Sequence, residues 1–453
     1  AQVPHVLWSL PFGILLLLIA TLPLVHAAHH WWERNSVKLA VGLILGAIVL
    51  VHYGTRGFGF PHDGHATKPG LPTVIQVVEH AILGEYIPFI VLLFSLYVVA
   101  GGLQLRGDLL ALPRVNTGIL ALGAIMASFV GTTGASMVLI RPLLQTNRDR
   151  KYVVHTVVFF IFLVSNIGGC LLPIGDPPLF LGYLAGVPFL WTMKLVLPWA
   201  FTVCALLLIY YVWDRVFAFP REDPALMSTE QRHFSPLRLH GKINLLWLLG
   251  VVLAVALIVP GKPLPGTEIM VRDFVREAVM LLLAGLSLAT TPRGLRKEVE
   301  FDYTAILEVA ALFLGIFLTM QVPIEILQAN GQSLALNQPW HFFWATGALS
   351  SFLDNAPTYV VFFETARSLP LNSAAQVVPL VGGGQIGQAF LRAISLGAVF
   401  MGANTYIGNG PNFMVKSIAE GHGVKMPSFG GYMLYSLGVL VPLFLVVTLI
   451  FFR

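Results

Sequence analysis

Two acidic residues stand in apolar stretches, beside residues that interrupt helices. Asp176 lies in PIGDPP at positions 173–178, and Asp354 lies in LDNAP at 353–357. A carboxylate at membrane depth is expensive unless it faces a cavity, binds an ion or takes up a proton. The two acids are therefore the first candidates for an ion site, although each could instead only cap the helix that follows it.

Neutral side chains that carry oxygen accompany the two acids in the same interrupted stretches. They are Asn355, Thr132, Thr133, Ser136, Ser165, Asn166, Asn404, Thr405, Asn409 and Asn412. Hard cations prefer shells of oxygen ligands, whereas Cys and His clusters favour transition metals. The set predicts a Na⁺ site at these residues together with Asp176 and Asp354, with no transition metal and no cofactor. Asn404, Thr405 and Asn412, each taken alone, are at least as typical of a helix cap or an interhelical hydrogen bond.

A carboxylate in a dry cavity is stabilised by a proton or by a cation, and one group cannot readily hold both. This competition predicts sodium/proton antiport, with Na⁺ and H⁺ as the transported partners. One alternative is a sodium- or proton-coupled transporter of a small anion, held by backbone N–H groups at helix starts. Another is a non-transporting membrane subunit of a larger complex. The sequence contains no nucleotide-binding motif or nucleophile triad, so we do not expect an enzyme.

The composition places these residues in a lipid bilayer. Of 453 residues, 56% are hydrophobic and 11% are charged, whereas soluble proteins carry about 25% charged residues. This number of charged residues is too small to cover a surface in water. Most of the surface must therefore face lipid. The chain is predicted to be an all-α polytopic membrane protein. Its net charge of +5 comes from short loops, so no nucleic-acid partner is expected.

Apolar runs of about 20 residues predict about ten transmembrane helices. Their approximate positions are 6–27, 38–53, 73–103, 152–183, 190–216, 243–259, 274–290, 303–327, 385–416 and 432–452. Two further apolar stretches, 112–147 and 338–368, carry helix-breaking residues at their centres. We interpret them as re-entrant hairpins, since irregular backbone at membrane depth must be surrounded by protein or by a water-filled cavity.

The two halves of the chain resemble each other. Superposing them places Ser128 on Ser351 and, after a change of register, Asp176 on Asn409. Each half has an odd number of predicted crossings, so the second half is expected to be inverted relative to the first. Inverted repeats with helices interrupted at matching positions are typical of secondary transporters.

The predicted domain boundaries follow from this repeat. The first repeat spans 1–216, with helices 1–5 and the hairpin 112–147, and the second spans 243–453, with helices 6–10 and the hairpin 338–368. A cytoplasmic linker, 217–242, separates them. The positive-inside rule puts most of the 27 Lys and Arg residues in the cytoplasm when the N-terminus is outside. We therefore expect the cytoplasmic (inner) membrane and a periplasmic N-terminus after signal-peptide removal.

Several short motifs resemble those of NhaD-type sodium/proton antiporters. They are GTTGAS at 131–136, SNIGG at 165–169, GDPP at 175–178 and LDNAP at 353–357. Relatives in the same ion transporter superfamily include citrate and dicarboxylate symporters and arsenite-pump membrane subunits. The resemblance implies an elevator-type transporter that forms a homodimer. It also implies that the hairpins, interrupted helices and final helices of each half move as a transport domain, and that the remaining helices form the scaffold and the dimer contact.

Overall fold

The computed structural model describes residues 3–25, 30–32, 34–62, 65–222, 235–298, 301–334, 336–370 and 376–452. Positions 26–27, at the end of the first predicted crossing, lie outside the described residues, as does 223–234, the centre of the predicted linker. The described chain is mostly helical, with three short antiparallel strand pairs. The prediction of a mostly helical chain is therefore confirmed, whereas the strand pairs were not predicted.

The helices follow one another along the whole chain. Those that begin before the predicted linker are α1 Leu10–Thr21, α2 Asn35–Thr55, α3 Leu71–Ala100, α4 Pro113–Val130, α5 Thr132–Thr146, α6 Val154–Leu163, α7 Pro177–Leu184 and α8 Phe189–Arg221. After it they are α9 Ile243–Leu257, α10 Val275–Thr290, α11 Arg293–Glu298, α12 Thr304–Thr319, α13 Gln321–Asn330, α14 Pro339–Ser350, α15 Asn355–Arg367, α16 Gln388–Met401, α17 Gly410–Gly421 and α18 Phe429–Phe451.

Three antiparallel ribbons connect helices. Their strands are β1 Pro61–His62 with β2 His65–Ala66, β3 Gln104–Asp108 with β4 Ser235–His240, and β5 Val377–Pro379 with β6 Gln385–Gly387. The β3–β4 ribbon joins the segment after α3 to the segment before α9. It therefore brings together parts of the chain that are far apart in sequence.

Within the described residues, five single helices are long and apolar enough to cross a membrane. They are α2, α3, α4, α8 and α18. A sixth crossing is possible if α12 and α13, which meet at an angle of 43°, form one bent span. The sequence predicted about ten crossings. Of these, α1, α9 and α10 are shorter helices of 12, 15 and 16 residues, and the stretches 152–183 and 385–416 are each divided between two helices. The chain is a multi-pass membrane protein.

The helices break where the sequence places its interruptions. Hairpin 1 consists of α4 and α5 joined at Gly131, and hairpin 2 consists of α14 and α15 joined by residues 351–354. Broken helix 1 consists of α6 and α7, and broken helix 2 consists of α16 and α17.

Local chemistry accounts for two of the breaks. Pro177 and Pro178 begin α7, where proline is tolerated because the first N–H groups of a helix have no partner in that helix. The same residues cannot continue a helix that arrives from α6, because proline removes a donor and clashes with the preceding turn. At the tip of hairpin 1, Gly131 has φ 82° and ψ 151°, a conformation that favours glycine.

Buried apolar side chains form two main clusters. The first joins both hairpins, both broken helices, α8 and α18. The second joins α1, α3, α9, α10 and α12. Ile174 lies two residues from Asp176, and Ala356 lies two residues from Asp354. Both belong to the second cluster. The interrupted segments therefore lie where the two clusters meet.

A buried group of charges, which the sequence did not predict, fastens α8 to the segment before α6. Arg150 donates from both terminal nitrogens to Asp214, over 3.1 and 2.5 Å, and its Nε lies 3.4 Å from Glu222. His155 Nε2 lies 3.0 Å from Asp214 Oδ1. Arg150, Asp214 and His155 are buried, so the group holds the two elements in one arrangement.

Candidate functional site

Asp176 lies at a point where both hairpins and both broken helices meet. Its side chain is 1% exposed. Asp176 Oδ1 accepts hydrogen bonds from Thr132 Oγ1 at 2.9 Å and from Asn409 Nδ2 at 3.1 Å. Its Oδ2 accepts one from Asn355 Nδ2 at 2.6 Å. One carboxylate thus joins four segments that are distant in sequence.

Each of these residues stands at the start of a helix. Thr132 and Asn355 are the first residues of the second arms of the two hairpins, and Asp176 and Asn409 immediately precede α7 and α17. Asp176 has φ −144° and ψ 141°, and Asn409 has φ −154° and ψ 140°. Neither side chain makes a capping hydrogen bond to its own helix. Both therefore point to other segments instead.

Asp354 has a different position from Asp176. Its Oδ1 accepts a hydrogen bond from Ala356 N at 3.0 Å, so it caps α15. It also lines a cavity beside the tip of hairpin 1. The structure thus gives Asp354 the capping contact considered for it and, in addition, a place at the cavity wall.

Amide side chains connect the two broken helices behind Asp176. Asn166 Nδ2 donates to Asn412 Oδ1 at 2.7 Å, and Asn409 Nδ2 lies 3.3 Å from Asn166 Oδ1. Asn412 Nδ2 donates to the carbonyl oxygens of Gly402 and Thr405, both at 2.9 Å. Together with the contacts of Asp176, these amide contacts form one buried polar centre between the two interruptions.

The remaining predicted residues lie around this centre rather than on Asp176. Ser136 Oγ and Ser165 Oγ are 2.9 Å apart and join hairpin 1 to broken helix 1. Thr405 donates to Ser351 O, and Asn404 Nδ2 donates to Ser351 Oγ at 2.9 Å. Thr133 lines the cavity.

Two serines that the site prediction did not include fasten the hairpins to the interruptions. Ser128 Oγ donates to Gly168 O at 2.5 Å and accepts from Leu171 N at 3.1 Å. Ser351 Oγ lies 3.1 Å from Met401 O and accepts the hydrogen bond from Asn404. The repeat alignment already places Ser128 on Ser351, and that match was the available signal.

One buried oxygen beside Asp176 has no hydrogen-bond partner among the described residues. It is Oδ1 of Asn355, whose residue is fully buried. Leaving a buried polar atom unpaired costs about 1–3 kcal/mol. The Nδ2 of the same Asn355 amide already donates to Asp176. The unpaired Oδ1 is therefore available as a ligand for a cation in the same region.

A cavity of about 110 Å³ adjoins the polar centre. Its polar wall includes Asp354, Thr132 and Asn409, and its apolar wall comes from α3 and α12. No Lys or Arg side chain is among the described residues that line it. Asp354 is therefore the only acidic or basic side chain among the described lining residues, and in its ionised form it favours a cation.

Comparison with known proteins places the chain in a family. Residues 1–452 match the family described as "Putative citrate transport". The chain belongs to this family. As a citrate transport family member it is also similar to an uncharacterized transporter of Synechocystis sp., with 23% identity over a 435-residue alignment that covers 90% of this chain and 90% of its relative.

Family membership agrees with the broader resemblance to the ion transporter superfamily and lends no particular support to its NhaD branch. Both matches are to transporters, which agrees with the expectation of a transporter rather than an enzyme.

Proposed function

We propose that this member of the citrate transport family is a secondary active transporter in which Na⁺ and H⁺ compete at Asp176. The observation that carries the proposal is the contact of a fully buried carboxylate with both hairpins and with broken helix 2. A carboxylate in such a place is typical of an ion or proton pathway. Sodium/proton antiport is the simplest function that follows.

Oxygen ligands for a sodium ion are present in the contacts around Asp176. The carboxylate, the Thr132 hydroxyl and the unpaired Asn355 Oδ1 belong to one buried region. Hard cations prefer such oxygen donors. When the cation leaves, a proton on Asp176 removes the buried charge, so the same group can carry either ion.

The size and charge of the adjoining cavity support a small cation. Its volume of about 110 Å³ is below the roughly 150 Å³ of an engineered cavity that binds benzene. Citrate has more atoms than benzene and three carboxylates. Asp354 and the lack of Lys or Arg in the described wall oppose such an anion in this conformation.

The inverted repeat and the elevator mechanism belong to the same proposal. The matched backbone angles of Asp176 and Asn409 support a repeat, as do the matched contacts of Ser128 and Ser351. The division into two hydrophobic clusters supports a transport domain that moves against a scaffold. The homodimer, the repeat boundaries at 216 and 243, the inner membrane and the outward N-terminus stay predictions.

Cation-coupled transport of a citrate-like anion is the second candidate, and the family match favours it. Residues 132–134 and 410–411, which begin α5 and α17, line the cavity. Helix starts present unpaired N–H groups that attract carboxylates. In this version Na⁺ would bind at Asp176 and the anion would bind at the helix starts in a more open state.

Proteoliposomes with a preset pH gradient test both candidates. A Na⁺ pulse is expected to dissipate the gradient, and Asp176→Asn is expected to abolish this response. Asp149→Asn, which changes an acid in a surface ion pair with Arg148, is the matched control and should behave as the unaltered protein. A response that Asp176→Asn leaves intact contradicts the proposed site. Labelled citrate uptake that requires Na⁺, without Na⁺-driven proton flux, selects the second candidate.

A further inference from the structure

Glu85 is an acidic residue in the middle of a membrane-spanning helix, and the site around Asp176 does not include it. It lies near the centre of α3, whose 30 residues span Leu71–Ala100. By the usual rise of a helix, about 20 Å separates it from either end. An ionisable side chain at this depth is costly unless it has a partner, faces water or binds an ion. The surroundings of Glu85 therefore decide its role.

The Glu85 side chain has one hydrogen-bond donor among the described residues. Gln321 Nε2 donates to Glu85 Oε2 at 2.7 Å and also to Phe317 O at 3.1 Å, so the amide is held with its nitrogen towards the acid. α12 faces this part of α3 with the rings of Phe313 and Phe317. No Lys or Arg in the described part of the chain pairs with Glu85. Its negative charge thus has no permanent counter-charge.

The equivalent glutamate in the second half of the chain does have one. Before the change of register, superposing the two halves places Glu85 on Glu308. Glu308 forms an ion pair with Lys38, whose side chain is 4% exposed. At Glu85 no lysine takes this place. The charge of Glu85 is therefore balanced only by a group that can gain and lose a proton.

A histidine connects Glu85 to a large cavity. His80 Nε2 lies 3.8 Å from Glu85 Oε1, a gap that one water molecule can bridge. His80 is 41% exposed and lines a cavity of about 840 Å³, far above the roughly 15 Å³ that one water needs. We call it the His80 cavity. It shares no lining residue with the cavity beside Asp176, so water in it reaches the histidine without passing Asp176.

The backbone of α3 explains why these two side chains are close. They are five residues apart, whereas neighbours on one face of an α-helix are three or four apart. Residues Glu79–Tyr86 form a π-helical segment, in which each turn is wider and hydrogen bonds join residues five apart. The segment therefore aligns His80 with Glu85. Such segments are frequent at functional sites.

Glu364 is the charged group of another element that acts on Glu85. It lies on α15, the second arm of hairpin 2, and accepts hydrogen bonds from Gln328 Nε2 at 2.9 Å and from Arg367 Nη1 at 3.2 Å. Gln321 and Gln328 are about two turns apart on α13, so one face of this helix holds both acids. An ionised Glu85 repels Glu364, and a proton on Glu85 removes that repulsion.

We propose that Glu85 is a second proton-binding site, which exchanges protons with the His80 cavity through His80 and acts on hairpin 2 through Glu364. A proton that moves from the charged His80 ring to Glu85 leaves a neutral imidazole and a neutral carboxylic acid. The ring then takes a new proton from water in the cavity. The effect on hairpin 2 rests on the transport function proposed above, whereas proton binding does not.

Infrared difference spectra of the purified full chain test proton binding without transport, because a protonated carboxyl group has its own absorption band. Spectra at about pH 8 and about pH 5 enclose the range in which histidine changes charge. Every protein carries Asp176→Asn and Asp354→Asn, so neither acid contributes. Added to this background, Glu85→Gln should remove a band that appears at the lower pH. Glu79→Gln is the matched control, since Glu79 lines the same cavity but is exposed, and exposed glutamates stay ionised in this range.

Loss of the band in Glu85→Gln and its retention in Glu79→Gln support the proposal. Glu85→Asp keeps a carboxyl group and should shift the band, which provides the test if Glu85→Gln does not fold. His80→Gln should slow the appearance of the band after a pH jump, and an unchanged rate would exclude the path through His80. A band that neither substitution of Glu85 alters would overturn the proposal. A Glu85 band in a protein without any Na⁺-driven proton flux would support the proton site and contradict sodium/proton antiport.

Discussion

Asn355 Nδ2 donates to Asp176 Oδ2 across 2.6 Å, although 179 positions separate the two residues in the chain. The bond joins the tip of hairpin 2 to the interruption of broken helix 1. Thr132 completes the arrangement from hairpin 1, and Asn409 completes it from broken helix 2. A movement of any of these segments must therefore change the contacts of a buried carboxylate.

Exchanging the charge between the two interruptions tests the equivalence of Asp176 and Asn409. Asp176→Asn alone should abolish Na⁺-driven proton flux. The double variant Asp176→Asn with Asn409→Asp restores a carboxylate at a residue of nearly the same backbone conformation. We expect its flux to exceed that of the single variant by about tenfold, the equivalent of about 1.4 kcal/mol. Fluorescence dequenching in proteoliposomes measures both. Equal inactivity of two well-folded variants would contradict the equivalence.

The two contacts of Asp354 can be separated by two substitutions. Asp354→Asn keeps an oxygen that can cap α15 but removes the charge from the cavity wall. It should raise the Na⁺ concentration for half-maximal flux with little change in the unfolding temperature. Asp354→Ala removes the cap as well and should cost about 1 kcal/mol of stability. If Asp354→Asn transports normally and Asp354→Ala only unfolds earlier, capping is the whole role of this residue.

Glycine is required where the two interruptions fold back on themselves. A Cβ on Gly175 would lie 2.2 Å from Gly169 O, and one on Gly408 would lie 2.6 Å from Gly402 O. Gly175→Ala and Gly408→Ala should each cost about 1–3 kcal/mol, because the crowded backbone must shift, and both should reduce transport. Gly410→Ala is the matched control, since its Cβ would meet nothing within 4 Å. Thermal unfolding of the three variants measures the difference, and equal losses would refute the packing argument.

Asp214 is expected to matter for stability rather than for ion binding. Asp214→Asn removes the negative charge of the carboxylate that accepts hydrogen bonds from both terminal nitrogens of Arg150. Breaking a buried ion pair typically costs about 3–5 kcal/mol, because it leaves an uncompensated charge. Chemical denaturation should show that the free energy of unfolding falls by an amount near the lower end of this range, since Glu222 stays close to Arg150. Asp149→Asn, at the exposed pair with Arg148, should cost about 0–1 kcal/mol. Comparable losses in the two variants would contradict the role of burial.

Local sequence determined the membrane class and the positions of the breaks. Scarcity of charge forces a lipid-facing surface, and consecutive prolines such as Pro177 and Pro178 end a helix whatever surrounds them. The number of single spanning helices was harder to predict. An apolar run does not fix where its helix ends: the predicted crossings 243–259 and 274–290 form helices of 15 and 16 residues, whereas 190–216 lies within the 33 residues of α8.

The tertiary structure decided which polar residues meet. Asp354 was a first candidate for the ion and Asn355 only an accompanying ligand, yet Asn355 contacts Asp176 while Asp354 caps its own helix. Asn404 and Thr405 contact Ser351 instead of Asp176. Partners in such a site depend on how segments more than a hundred residues apart are placed against each other. That placement results from packing of the whole chain, so residue types and spacing alone do not contain it.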